Sequence, residues 1–402
     1  MATADPIPNI GTPSEPNEPG LLVLLAPMTA EQLDQVLANL TASLPGEDLL
    51  IASPDVASDA PLANSHLSHR IIAAPAANAS WTITAADFVS AYQLASKEKA
   101  RGILMLSPES GSLSSSAIGA LANAVLTSAT DLAIASYHLP PNAGLVNSAI
   151  LYPLSRALFS SRVRFPLAVD LGLSLRMAER LAGTGQRFNR LDQGETPLWP
   201  INEAAVAGFT IEQFDVGARA PQQHPGPDLN TILPLVTGSL FSDIDAKAAF
   251  WQRFRQLPPV IDSLRIPQAT SGDAATDIVP MLQAFRLAYS NLHEIWSLVL
   301  PPNSLLGLKR LFVTDGADFR MPDSLWARIV FDFLLAHRLR TINRGHLLGA
   351  LIPLYLAWVA SHINITNSGT TPESHIEAVA AAFEADKTYL VSRWRWPDRF
   401  NP

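Results

Sequence analysis

Three groups of residues could do chemistry here. The first is Ser107-Pro108-Glu109, which follows the apolar run Ile103–Leu106. Such a run reads as a buried strand. A carboxylate just past a strand end can contact a ligand or help hold a hard cation. Asp55 stands in the same place after the run Leu49–Ala52. The second group is Arg156, Arg162 and Arg164, whose guanidinium groups suit carboxylate or phosphate oxygens. The third is Ala168-Val169-Asp170, ahead of Leu171-Gly172-Leu173-Ser174. Each has a plainer alternative. Glu109 and Asp55 could be solvated loop acids, the arginines could form surface ion pairs, and Asp170 could cap a helix. Ser174 is better placed to cap a helix starting at Leu175.

The elements that must position these residues alternate at first. Leu21–Ala26, Leu49–Ala52, Ile71–Ala74 and Ile103–Leu106 read as strands. A helix opens after Thr29, with Gln32 completing a capping box, and another covers Ala85–Lys99. This alternation predicts an α/β fold with a mostly parallel, doubly wound sheet. After Trp251 the strand signals nearly vanish. Helical patterns occupy Leu282–Leu300, Leu325–Leu339, His346–Ser361 and Ser374–Trp394. Pro301, Pro302, Asn303 and Gly307 predict a turn. The expected domains are a flexible tail over 1–20, an α/β domain over 21–245, and a helical region over 246–402 packed on it.

Bulk composition narrows the classes. The chain has 402 residues, 48% of them hydrophobic, a net charge of -8 and no cysteine. Wholesale disorder is excluded. With no basic block, nucleic acid is not the expected partner. Disulfides and thiolate metal sites are excluded. No leader pattern opens the sequence. The apolar stretch Leu347–Ala360 spans about fourteen residues and contains Pro353, so it reads as a buried helix pair rather than a transmembrane segment. A cytoplasmic location is the expectation. No nucleophile elbow, phosphate-binding glycine loop with lysine, or paired-histidine metal motif appears.

The order Ile103–Glu109, Ser136-Tyr137-His138, Leu151–Phe159, Arg162–Ser174 resembles GT-A-fold, family-2-like glycosyltransferases of the glucosyl-3-phosphoglycerate synthase and mannosylglycerate synthase kind. The likeness continues through Ala207–Gln213, Asp228–Phe241, Leu325-Trp326-Ala327, Ile342–Leu348 and Lys387–Trp394. It covers about residues 20 to 396. It implies a GT-A-like sandwich with a helical C-terminal region. It also implies a nucleotide sugar (UDP- or GDP-hexose) as donor and a small polar acceptor, and it allows a homodimer. On the donor side it places Pro27, Glu31, Asp55, Lys99, Ser107 and Glu109, with Lys97 and Arg101 as further basic residues. On the acceptor side it places Asn147, Arg156, Arg164 and Asp170. Glu109 and Asp170 are the implied catalytic acids.

Four positions depart from the family pattern. The Asp-x-Asp metal motif reads Ser107-Pro108-Glu109. The metal-completing histidine is missing after Gly217-Ala218-Arg219-Ala220-Pro221, leaving His224 as a remote candidate. The Gly-Gly-Asp segment reads Ala168-Val169-Asp170, and Gly144-Leu145-Val146-Asn147 lacks the arginine that contacts a phosphorylated acceptor. The expectation is a transferase with weak or no Mg2+/Mn2+ binding through Glu109 and His224. The alternative is a non-catalytic pseudo-glycosyltransferase that binds or scaffolds.

Overall fold

The computed structural model of the chain describes residues 20–54, 70–74, 82–127, 129–167, 169–219, 228–253 and 277–397. The expected tail over 1–20 (save Gly20), Asp55, Ala168 and His224 lie outside them. Seven strands form one sheet: β1 Leu21–Leu25, β2 Leu49–Ser53, β3 Arg70–Ala73, β4 Gly102–Leu106, β5 Leu132–His138, β6 Leu171–Ser174 and β7 Ile211–Ala218. Their order is β3-β2-β1-β4-β6-β5-β7. All pairings are parallel except those of β6, which runs antiparallel between β4 and β5.

The helices of this half are α1 Ala30–Ser43, α2 Ala85–Glu98, α3 Ser115–Leu126, α4 Tyr152–Phe159, α5 Leu175–Asn189, α6 Pro200–Ala207 and α7 Leu229–Ala246. The strands bury both faces by period-2 alternation. Val23, Leu104 and Ala133 join one core with α1 and α3. Leu22, Ile103 and Leu132 join another with α2, α5 and α6. Each such Leu or Ile, fully buried, contributes roughly 2 kcal/mol. Gly172 in β6 is required by packing, since a Cβ there would lie 2.8 Å from the Leu121 carbonyl oxygen.

The remaining helices are α8 Ala248–Trp251, α9 Val279–Asn291, α10 His293–Val299, α11 Pro302–Phe312, α12 Asp323–Leu339, α13 Arg344–Asn367, α14 Pro372–Ala385 and α15 Lys387–Arg395. Their core also takes in Leu145, Phe159, Leu240 and Phe241 from α4, α7 and the turn before α4. The Trp326 indole donates to the Ala149 carbonyl at 2.8 Å, tying α12 to that turn.

Two expectations change. The stretch Leu347–Ala360 is one helix, not a pair: α13 runs 24 residues with Pro353 inside. Proline removes one hydrogen bond, and packing on every side offsets that loss. α13 is long and apolar enough to cross a membrane, but 67% of its most apolar window is buried inside the fold. The expected turn at Pro301–Gly307 is the start of α11, with Pro301 at the cap. Gly307 sits inside that helix, where a Cβ would lie 2.9 Å from a Leu325 methyl.

Candidate functional site

Strand direction decides what can meet. β1, β4, β5 and β7 all end at one edge, and β6 begins there. The chain turns from the β2–β3 side of β1 to the β4 side, so the sheet has its topological switch between β1 and β4. Ligands of open α/β sheets bind in the crevice outside such a point. Pro27 and Glu31 stand there, after β1 and in the first turn of α1. The expected capping box at Thr29 is present: its hydroxyl accepts from the Gln32 N–H at 3.3 Å, and the Gln32 side chain accepts from the Thr29 N–H at 2.9 Å.

Ser107, Glu109, Tyr137, Asp170 and Arg219 converge at this edge. Asp170 is 1% exposed. One of its oxygens accepts from the Ser107 N–H at 2.8 Å, and the other from the Tyr137 hydroxyl at 2.7 Å. It therefore joins β4, β5 and β6, and its carboxylate does not face the crevice as a sugar ligand would need. It does not cap α5 either; Ser174 does, accepting from the Met177 N–H at 3.3 Å. Burial, and then the Asp170 charge, push the Tyr137 phenol well above its ordinary pKa, so it remains a donor.

Arg219 is the residue that motif reading passed over. Its Nη2 donates to Glu109 Oε2 and reaches the Ser107 Oγ at 3.3 Å. Its guanidinium lies 4.9 Å from the centre of the Tyr137 ring. Burial alone would lower its pKa, but Tyr137, Asp170 and Glu109 outweigh that and raise it. The register of β5 and β7 shifts between Ser136 and Tyr137, because Val216 is an extra residue on β7. Gly217 takes φ +80°, a left-handed conformation suited to glycine. Asp215 holds the bulge, accepting from the Gly217 N–H at 2.9 Å and lying 3.0 Å from His138 Nε2. The bulge aims Arg219 at Glu109. An Asp-x-Gly at a strand end followed by arginine was the signal available in the sequence.

Of the two expected metal ligands only Glu109 lies among the described residues. Among the described residues no group of three or more His, Asp or Glu could hold one. Ser107 offers a hydroxyl, and one Glu109 oxygen is already bonded to Arg219. The other, Oε1, is buried with no hydrogen-bond partner among the described residues.

The remaining candidates are not brought to this edge. Lys97, Lys99 and Arg101 precede β4 and so lie at the opposite end of the sheet, where Arg101 pairs with Glu47 at 3.1 Å. Arg156 is buried against α14, bonded to Glu377, to Glu384 at 3.0 Å and to the Tyr152 hydroxyl at 3.3 Å. Arg164 binds both oxygens of Glu373, at 3.1 and 3.3 Å, and the Ser148 hydroxyl at 3.1 Å. The Asn147 amide donates to the Arg164 carbonyl at 2.7 Å. Arg164, Ser148, Glu373, Tyr137 and Phe165 line a small cleft, open to solvent, beside the crevice. Arg162 is exposed.

No protein-family model matches the chain, and no curated protein matches it. Among solved structures it is similar to glucosyl-3-phosphoglycerate synthase from Mycobacterium tuberculosis with Mn2+, UDP and phosphoglyceric acid. That likeness has 15% identity and a TM-score of 0.37, covering 56% of this chain and 78% of that one. The same enzyme with phosphoglyceric acid gives 14%, 0.35, 56% and 79%. A structure described as a mycobacterial protein gives 14%, 0.36, 56% and 74%.

Proposed function

We propose that the chain is a distant GT-A-like glycosyltransferase relative. Its donor crevice at the β1/β4 switch takes a nucleotide diphosphate sugar, and the cleft beside Arg164 takes a small polar acceptor. The observation that carries this reading is the convergence of Ser107, Glu109 and Arg219 at the switch-point edge, where the sequence resemblance places the donor phosphates. The chemistry would be transfer of a hexosyl group with the nucleotide diphosphate as leaving group. A cation at the phosphates would offset the charge that develops as it departs.

A second reading has its own support. Asp170 uses both oxygens inside the fold and is buried, so it offers no free carboxylate to the sugar. That favours a non-catalytic protein that binds the nucleotide or a partner. Calorimetry with UDP-glucose and GDP-mannose, with and without Mn2+, separates these readings when paired with a transfer assay on glycerate. Binding with transfer supports the enzyme. Binding without transfer supports the second reading. Absence of binding overturns the enzyme reading and the nucleotide-binding form of the second.

A further inference from the structure

We propose that Arg219 is the anion-recognising group of the crevice, and that Glu109 occupies on Arg219 the place a diphosphate oxygen takes when a nucleoside diphosphate is bound. This rests on the donor-crevice reading above and assigns its cation. The guanidinium supplies from within the chain the positive charge that a hard cation would otherwise supply.

Four observations converge. Arg219 stands one residue past β7, at the same edge as the β1/β4 switch, aimed there by the Gly217 bulge. The Tyr137 ring beneath it fixes the guanidinium plane, and Nη2 spans Ser107 and Glu109. The Arg219 side chain is 21% exposed, so a ligand can reach it. Among the described residues Glu109 is satisfied at one oxygen only; Oε1 is buried with no partner there, which costs free energy. A carboxylate held with half its bonds unmade is displaceable. A diphosphate offers more acceptor oxygens to the same donors, and arginine–phosphate pairs are frequently bidentate.

Charge sets the direction of the test. One guanidinium faces two carboxyl groups, Glu109 and Asp170, so a diphosphate must compete with Glu109 for Arg219. Removing the Glu109 charge therefore strengthens binding. A metal-ligating Glu109 would behave in the opposite way.

The experiment is calorimetric titration of UDP and of GDP, in EDTA and again with Mn2+, on wild type, Glu109→Gln, and Glu109→Gln/Arg219→Gln. The double variant leaves no charge on Glu109 and keeps Asp170 bonded to the Ser107 N–H and the Tyr137 hydroxyl, and a thermal melt confirms that each variant is folded. The expected result is metal-independent binding that tightens about tenfold in Glu109→Gln, the effect of one charge-assisted bond. Binding should return to wild-type affinity or weaker in the double variant and should weaken with added salt. Weaker binding in Glu109→Gln, or Mn2+-dependent binding indifferent to Arg219, overturns the inference and leaves the donor crevice standing. Failure of UDP and GDP to bind either wild type or Glu109→Gln removes the crevice reading itself, and the inference with it.

Discussion

The crevice and the α14 seam both pair arginines with glutamates, but they hold their arginines differently. In the seam, Arg156 meets Glu377 and Glu384, and Arg164 meets Glu373 through two bonds, with the Tyr152 and Phe165 rings on either side at 5.3 and 5.2 Å. Two cations face three acids there, and the groups lock α4 and its preceding turn to α14 as a joint; Arg156 Nε and Arg164 Nη1 are buried with no hydrogen-bond partner among the described residues. In the crevice, one guanidinium serves two carboxyl groups and a hydroxyl, and a carboxylate oxygen is left over. The difference lies in the number of bonds: Arg164 is held by both Glu373 oxygens and the Ser148 hydroxyl, whereas Arg219 is held by one Glu109 oxygen and the Ser107 hydroxyl. Arg156 and Arg164, picked out by residue type, hold α14 in place, with Arg164 also lining the small cleft, whereas Arg219 is placed by a bulge.

The largest expected effect tests the joint. Arg164 is 6% exposed, and removing it leaves Glu373 without its main partner. Breaking a buried pair costs about 3–5 kcal/mol when the remaining charge is stranded. Arg164→Leu should lose about 3 kcal/mol in urea unfolding, since Glu373 keeps some contact with water. A loss below about 1 kcal/mol would show that the seam is no more than a surface pairing.

A second effect comes from pH. His362 on α13 stacks against Trp358 and lies 2.7 Å from His375 of α14, Nδ1 to Nδ1. Burial first, and then the charges of His375 and Arg164, lower its pKa to about 3. Burial, with Arg344 and Arg340 adding to it, lowers His337 to about 4. Both are neutral when folded, while the unfolded chain binds a proton on each below about 6.5. Their stability contribution is full above that pH and falls as the pH drops toward the folded values. The loss is about 1.4 kcal/mol per pH unit for each group. Unfolding at pH 7, 6 and 5 should show this slope, and His362→Phe should remove one proton's share of it. An unchanged slope would mean that His362 already carries a proton in the fold.

Much of the scaffold was legible because it follows from periodicity and caps. The runs at β1, β2 and β4, the Thr29 and Ser174 caps, and the helices after Trp251 are local signals. β6 was not read as a strand, since Leu171–Ser174 is four residues long and its antiparallel place depends on neighbours distant in sequence. Ser107 and Glu109 were legible from the strand end before them. Lys99 was misplaced because nearness in sequence to β4 hides which end of the strand it flanks. Arg219 was passed over because its position depends on a register shift in β7, and no residue type announces that. Arg156 and Arg164 were recognised as cations, but their partners lie more than two hundred positions away on α14.

The smallest effect is also the most discriminating for the contrast between joint and crevice. Glu109→Gln should change unfolding free energy by less than about 1 kcal/mol, because it removes a pairing already short of one hydrogen bond and relieves a buried charge. Arg219→Gln should cost more, about 2 kcal/mol, because it leaves Glu109 buried with no cation. The double variant should recover most of that loss, giving a coupling of about 2 kcal/mol in the thermodynamic cycle. The same cycle on Arg164 and Glu373 should give a larger coupling, since two bonds and two ring faces hold that guanidinium. Equal couplings would mean that Arg219 and Glu109 form a joint like the seam. Glu109 would then not be displaceable, and the crevice would have to recognise its ligand through other groups.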